Sequence, residues 1–251
     1  MSEPAGVSFY PPAFAAVAAR LVQVTPPAAA PGADGAWQAA YAVHAVYREP
    51  LSVWVCSPVG GLRLERGPAR RGDFDLIASL WLALAAGQQD RVQATVTCRD
   101  DAVGSLIRWE RRSRLASTAA QGPAPTTMRI DRGVIRSGRI DREPGPSLAA
   151  RGPVAANWAL FDTLRRAKGM LSFTMLEELD ALRPDQVMRP CGETTVTMAG
   201  GTVRLRGVLQ IGRGILPTTW WLHETGLPLM VLAGLRAYTY DPSAVVQEVE
   251  G

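Results

Sequence analysis

Three residues, His223, Glu224 and Asp162, are the candidates for proton transfer in this sequence. His223 and Glu224 are adjacent, and a histidine beside a carboxylate could act as a general base with a tuned pKa. The same pair would also suit a polar turn between two buried strands, because such turns favour polar residues. Asp162 is the third candidate, although it reads as an ordinary helix acid unless the fold brings it to a site.

Familiar cofactor and catalytic motifs are absent from the sequence. There is no G-x-x-x-x-G-K-[ST] phosphate loop, and Gly212-x-Gly214 lacks the third glycine of a dinucleotide fingerprint. A G-x-S-x-G nucleophile elbow is also missing. His44 and His223 are the only histidines, so a three-histidine metal site is impossible. We therefore expect no cofactor and no metal.

Aromatic residues in the C-terminal half could line an apolar ligand site. The candidates are Trp158, Phe161, Trp220, Trp221, Tyr238 and Tyr240. Arginines such as Arg213 and Arg236 could bind a carboxylate or phosphate head group at the mouth of that site. The alternatives are that the aromatic residues form core and that the arginines cover solvated strand faces.

Composition indicates an ordinary globular protein with a substantial core. The 251 residues are 47% hydrophobic and 20% charged. Lys168 is the only lysine and Asn157 the only asparagine, so the net charge of +4 reflects arginine-rich coding more than a basic surface. No basic stripe carries interleaved aromatic residues, which argues against a nucleic-acid partner.

The cysteines and the N-terminus bear on the compartment. Cys56, Cys98 and Cys191 are odd in number and far apart, which favours buried thiols in a reducing compartment over disulfides. The N-terminal apolar stretch lacks a preceding basic region and is too short to cross a bilayer. We expect a cytoplasmic protein without a membrane span.

The elements that must position these residues centre on a C-terminal meander. Three short apolar runs, Ile215–Leu222, Leu227–Leu232 and Leu235–Tyr240, are separated by turn-like segments. The first run has no charge on either face. An antiparallel sheet with one wet face would carry polar residues there, so we expect both faces to be covered.

Upstream, alternating patterns predict further strands and hairpins. The clearest are Trp37–Tyr47, the hairpin Val92–Cys98 with Ser105–Arg114, and the hairpin Thr194–Met198 with Val203–Ile211. Helical spacing predicts helices within 11–20, 73–84 and 155–168. Turn composition at 58–61 and 131–133 predicts two further tight hairpins.

Together these patterns predict an α+β, mostly antiparallel β fold. We expect a single strongly curved antiparallel sheet, a half-barrel or open barrel, with two or three helices packed on or plugging one face. Residues 1–35 would form an N-terminal arm or linker, and 36–251 a single β-rich domain.

The last 100 or so residues also resemble a known type of domain. The sequence ANWALFD at Ala156–Asp162, the hairpin at Gly200-Gly201 and the sequence LPTTWWL at Leu216–Leu222 resemble uncharacterised bacterial curved-sheet domains. Those half-barrel domains are similar to the lipoprotein-carrier fold. The resemblance implies a concave sheet plugged by helices, with an apolar cavity between them. Such domains are usually exported, whereas this sequence shows no export signal.

Three functions remain open at this point. The first is binding of a hydrophobic, lipid-like small molecule between the curved sheet and the helices. The second is a cofactor-independent isomerase or cyclase that acts on an apolar biosynthetic intermediate in the same cavity. The third is a structural or interaction module whose sheet edge pairs with another chain, including a second copy in a homodimer.

Overall fold

The computed structural model describes residues 12–28, 35–50, 53–84, 87–117, 127–167 and 169–246. Within these ranges lie two short α-helices, α1 (Phe14–Ala18) and α2 (Leu160–Arg166). The strands are β1 (Trp37–Arg48), β2 (Trp54–Arg66), β3 (Asp73–Ala83), β4 (Gln88–Arg99), β5 (Leu106–Ser117), β6 (Thr127–Arg136), β7 (Arg139–Glu143), β8 (Leu148–Ala149), β9 (Val154–Ala156), β10 (Leu171–Glu177), β11 (Ala181–Met198), β12 (Gly201–Ile211), β13 (Thr218–Leu222), β14 (Pro228–Ala233) and β15 (Arg236–Tyr240).

All of these strands belong to one sheet. From edge to edge the order runs from β8 back to β1, then to β15, and from β15 back to β9. The pairs are antiparallel except for β9 with β10. The first strand pairs with the last through Tyr41 and Tyr240, and an isolated bridge joins Ser105 to Ala155 beside the β9 edge. The predicted fold class, a mostly antiparallel curved sheet that stays open, is confirmed.

The segment predicted to be a helix at 73–84 is strand β3. It pairs along its length with β2 and β4. Phe74 and Leu76 face the core, whereas Asp75 and Ile77 alternate with them and are exposed. Ile77 lies three positions after Phe74, so an apolar residue on the outer face produced a misleading helical spacing.

The two short hairpins predicted at 58–61 and 131–133 are not turns but the interiors of β2 and β6. The glycines there allow close packing. A Cβ on Gly60 would lie 1.9 Å from the carbonyl oxygen of Trp81, and a Cβ on Gly133 would lie 2.0 Å from the ring of Trp109. Glycine inside a strand therefore marks a close approach in this protein, which is a known alternative to a turn.

The inner face of the sheet forms the main core, and α2 lies inside it. The predicted helix at 155–168 begins later than expected, because Val154–Ala156 is a strand and 157–159 is a single 3-10 turn. Phe161 on α2 makes edge-to-face ring contacts with Tyr41, Trp220 and Tyr238 at centroid distances of 4.9, 5.0 and 6.0 Å. These contacts fix α2 against strands from both halves of the sheet.

The outer face carries a second core beneath α1. Val17 and Leu21 in the N-terminal segment are fully buried, and Phe14 makes an edge-to-face contact with Trp221 at 5.1 Å. Residues of β13 to β15 are therefore buried on both faces, as predicted. The helices lie on opposite faces of the sheet, whereas the sequence led us to expect them on one. The reason is that the apolar outer side of β13–β15 has to be covered as well.

The cysteines and the helix lengths bear on two further predictions from the sequence. Cys56, Cys98 and Cys191 are buried free thiols, as predicted. Across the described residues, no helix has the length and apolar character that a membrane span requires. The predicted cytoplasmic location and the division at residue 35 remain predictions.

Candidate ligand-binding cavity

A cavity of about 650 Å³ lies between α2, the β10–β11 turn and one end of strands β12 to β15. Four of the aromatic residues proposed from the sequence line it, namely Trp158, Phe161, Trp220 and Tyr238. They come together because Trp158 and Phe161 lie on consecutive turns at the start of α2, while Trp220 and Tyr238 point inward from β13 and β15. Cavities of this size hold drug-sized molecules.

The wall of the cavity contains a connected set of buried amides. Gln210 donates to Oε1 of Gln186 at 3.1 Å and accepts a hydrogen bond from Nε1 of Trp220 at 3.2 Å. Gln186 in turn donates to the backbone carbonyl of Pro184 at 2.8 Å. Both glutamines are at least 98% buried, and Gln210 lines the cavity with Gln186 behind it, so the set orients the indole of Trp220.

The rim of the cavity is built on a strained turn between β10 and β11. Glu178 and Leu179 have φ angles of 48° and 60°, in the left-handed region that non-glycine residues rarely adopt. The turn is held by Oδ1 of Asn157, which accepts from the Glu178 amide at 2.9 Å, and by Arg111, which donates to the Glu178 carbonyl at 2.9 Å. Strain of this kind persists only where surrounding contacts enforce it, and it concentrates at functional sites.

Charged side chains on the rim are arranged in pairs. Arg236 donates to Oε1 of Glu178 at 2.6 Å and to the Tyr238 hydroxyl at 3.3 Å. Arg183 donates to Glu177 at 2.8 Å. Asp180, the remaining acid of the lining, lies 3.6 Å from Arg142 outside it. Three arginines and three acids line the cavity, so their formal charges cancel.

Burial and neighbouring charges shift the pKa values of groups at the rim. Burial raises the pKa of Tyr238, and the adjacent Arg236 only partly opposes that rise. Burial lowers the pKa of Arg236, but Tyr238 and Glu178 outweigh it, so the net pKa is raised. Burial also raises the pKa of Asp90, which interacts electrostatically with Arg111, Glu178 and Arg236. At neutral pH, Arg236 is therefore a permanent cation and Tyr238 a neutral hydroxyl.

Three residues proposed for the ligand site lie elsewhere. Trp221 points to the outer face, where Phe14 packs against it. Tyr240 contacts the ring of Tyr41 at 6.1 Å and does not line the cavity. Arg213 is 77% exposed and lies 3.5 Å from Asp185. Alternation along β13 places Trp220 and Trp221 on opposite faces, as the sequence predicts, but it does not show which of the two faces a cavity.

His223 and Glu224 lie in the β13–β14 turn, at the opposite end of these strands from the cavity. Nδ1 of His223 is 3.0 Å from the hydroxyl of Thr225 and accepts from its amide at 3.3 Å. Burial lowers the pKa of His223, against the opposing effect of Glu224. The pair occupies a polar hairpin turn, which was the structural alternative considered for it.

Asp162 is buried among cations on the far side of α2. Its Oδ1 accepts from Nε1 of Trp37 at 2.7 Å, and its Oδ2 accepts from Arg166 at 2.7 Å. Arg66 and Arg165 each lie 3.2 Å from Oδ1. The side chain is 2% exposed and is not part of the cavity lining, so it anchors α2 to β1 and β2.

A second cavity, of about 720 Å³, lies on the outer face of β3 to β7. Its walls contain acids and arginines that pair with one another, such as Arg132 with Glu110 at 3.0 Å. Asp75 accepts from the hydroxyl of Thr97 at 2.6 Å. None of the site residues proposed from the sequence lines this groove, and its polar groups are largely engaged with one another.

The buried glutamines are the part of the site that the sequence did not reveal. Gln210 alternates with Arg204 and Arg206 along β12, a pattern that predicts a solvated face. That face is the inner one: Gln210 is 2% exposed and Arg206 donates to the carbonyl of Leu164 at the end of α2. In the described part of the chain, no group of three or more His, Cys, Asp or Glu residues is placed to hold a metal ion.

Comparison with known proteins adds a likeness of shape. No protein-family model matches the sequence, and no curated protein matches it. Among solved structures, it is similar to a beta-barrel-like protein of Domain of Unknown Function DUF1849 from Brucella abortus. The two are 10% identical with a TM-score of 0.48, over 84% of this chain and 95% of that chain. The likeness thus extends over most of the molecule and is not confined to its last 100 residues.

Proposed function

We propose that this protein binds a small molecule with an apolar body and a polar end. The observation that carries the proposal is the cavity of about 650 Å³ in which four aromatic side chains converge beside a charged rim. Trp158, Phe161 and Trp220 offer flat apolar walls, and Tyr238 places a hydroxyl between these walls and Arg236. An amphipathic ligand would match both parts.

Binding is favoured over the enzymatic alternative by the state of the acids at the site. Each of the three carboxylates that line the cavity has an arginine within 4 Å, so each is held in an ion pair. His223, Glu224 and Asp162 lie outside the cavity lining. An isomerase or cyclase would need a proton-transfer group beside the bound molecule.

The resemblance to lipoprotein-carrier-like domains is in keeping with this proposal. It implies an apolar cavity between a concave sheet and helices, and α2 lies on the inner face of the sheet here. The interaction module remains an alternative, with the homodimer as one form of it. A cavity that bound nothing in solution would favour that alternative.

Mass spectrometry of material extracted from natively purified protein tests the proposal. We expect a co-purifying amphipathic compound in the wild-type protein and its loss in Ala233→Trp, because Ala233 lines the cavity and an indole would fill it. Ala102→Trp, on an exposed loop outside the cavity, is the matched control and should retain the compound. Repeated native extraction that yields no compound from the wild type would count against a binding function.

A further inference from the structure

The Glu178–Arg236 pair occupies the place where the polar end of a ligand would lie. Nη1 of Arg236 is shared between the carboxylate of Glu178 and the hydroxyl of Tyr238. Both side chains of the pair are about one third exposed, so they lie between the aromatic interior and solvent. A ligand whose apolar body lies against Trp158 and Trp220 would present its head group here.

Glu178 is fixed in this position by the backbone as well as by its partner. It lies in the left-handed turn, where its amide donates to Asn157 and its carbonyl accepts from Arg111. The rim thus combines a fixed acceptor, Glu178, with a fixed cation, Arg236.

We infer that Glu178 makes the cavity selective for ligands with an uncharged polar head group, such as a hydroxyl. This inference rests on the proposed binding function. A carboxylate head would be repelled by Glu178 or would have to displace it from Arg236. An ammonium head would be repelled by Arg236 or would have to displace it from Glu178. A hydroxyl can accept from an arginine and donate to Glu178 without breaking the pair.

Isothermal titration calorimetry with three probes that share one alkyl chain tests this selectivity. The probes are 1-decanol, decanoate and decylammonium, each titrated at neutral pH into the wild-type protein and into Glu178→Gln. We expect the wild type to bind decanol roughly tenfold more tightly than either ion, since an ion would be repelled by one member of the Glu178–Arg236 pair or would have to displace it. In Glu178→Gln, Arg236 loses its counter-ion, and decanoate should bind roughly tenfold more tightly than in the wild type.

A second variant and a control separate selectivity from a structural role. Arg236→Gln should raise the affinity for decylammonium instead, because it leaves the Glu178 carboxylate without its partner. Glu193→Gln removes a glutamate from an exposed pair with Arg204 and should leave all three affinities unchanged. If the pair were purely structural, Glu178→Gln and Arg236→Gln would change the melting temperature while the relative affinities for the three probes stayed the same.

The outcomes distinguish this inference from the proposed function. A wild-type protein that prefers either ion, or a decanoate affinity that Glu178→Gln leaves unchanged, overturns the selectivity and leaves binding intact. A wild-type protein that binds none of the three probes removes the binding function and the selectivity together.

Discussion

At the scale of single residues, the charged groups of this molecule divide into buried anchors and a paired rim. Asp162 is itself buried and pairs with three arginines, whereas Glu178 is one third exposed at the edge of a cavity. Sequence alone treats both as ordinary acids, because neither lies in a catalytic motif. Their roles depend on long-range neighbours such as Arg66 and Arg236, which no local pattern can supply.

Replacement of Asp162 tests the anchor. In Asp162→Asn the carboxylate that faces Arg66, Arg165 and Arg166 becomes neutral. Arg66 and Arg166 still pair with Asp100, whereas Arg165, whose side chain is 12% exposed, loses the carboxylate beside it. We expect the free energy of unfolding, measured by urea denaturation, to fall by about 3–5 kcal/mol. Glu193→Gln, in an exposed pair, should cost less than about 1 kcal/mol. Equal losses in the two variants would show that Asp162 is not an anchor.

At the scale of elements, local patterns were sufficient where strand alternation and turn composition indicated the same structure. The hairpins β4–β5 and β11–β12 and the meander β13–β15 were predicted from alternation and turn composition. The sequence prediction was wrong at β3, where Ile77 on the outer face produces the apolar spacing of a helix. It was also wrong at Gly60 and Gly133, where glycine allows close packing and does not mark a turn. In each failure the deciding contact comes from another strand.

The sequence prediction was correct for four of the six aromatic candidates, which line the cavity. Residue type identified them, and strand alternation placed Trp220 and Trp221 on opposite faces. The sequence could not show that α1 covers the outer face and thereby takes Trp221 into the core. Gln210 and Gln186 were missed because a buried amide has the same sequence pattern as a solvated one.

The N-terminal segment offers a test at the scale of elements. Within this segment Leu21 is fully buried against the sheet, and its neighbour Val22 is 40% exposed, so the two provide a matched pair. We expect Leu21→Ala to lower the free energy of unfolding by about 2–5 kcal/mol. Val22→Ala should stay within about 0.5 kcal/mol of the wild type. A harmless Leu21→Ala, measured by the same denaturation experiment, would mean that the segment does not pack on the sheet in solution.

At the scale of the whole molecule, the core is distributed unevenly along the sheet. Strands β1 to β5 and β10 to β15 contribute most of its buried side chains, whereas Ile140 is the only buried hydrophobic residue from β6 to β8. Met128 and Ile130 on β6 are 43% and 44% exposed. Local opening is easiest where few apolar contacts are lost, so this end of the sheet should be its least stable part.

Hydrogen–deuterium exchange followed by mass spectrometry measures this difference. We expect amides in 127–149 to exchange at least about tenfold faster than those in 37–48, which lie at the centre of the sheet. Uniform protection across the two regions would show that the molecule opens only as one unit.

The pairing of β1 with β15 has a consequence for biosynthesis. All other neighbours in the sheet are also neighbours along the chain, so they can pair as soon as both leave the ribosome. The seam through Tyr41 and Tyr240 instead joins the first strand to the last across nearly the full length of the polypeptide. Until β15 emerges, the nascent chain carries an open β1 edge, and this is the stage at which a chaperone would protect it from aggregation.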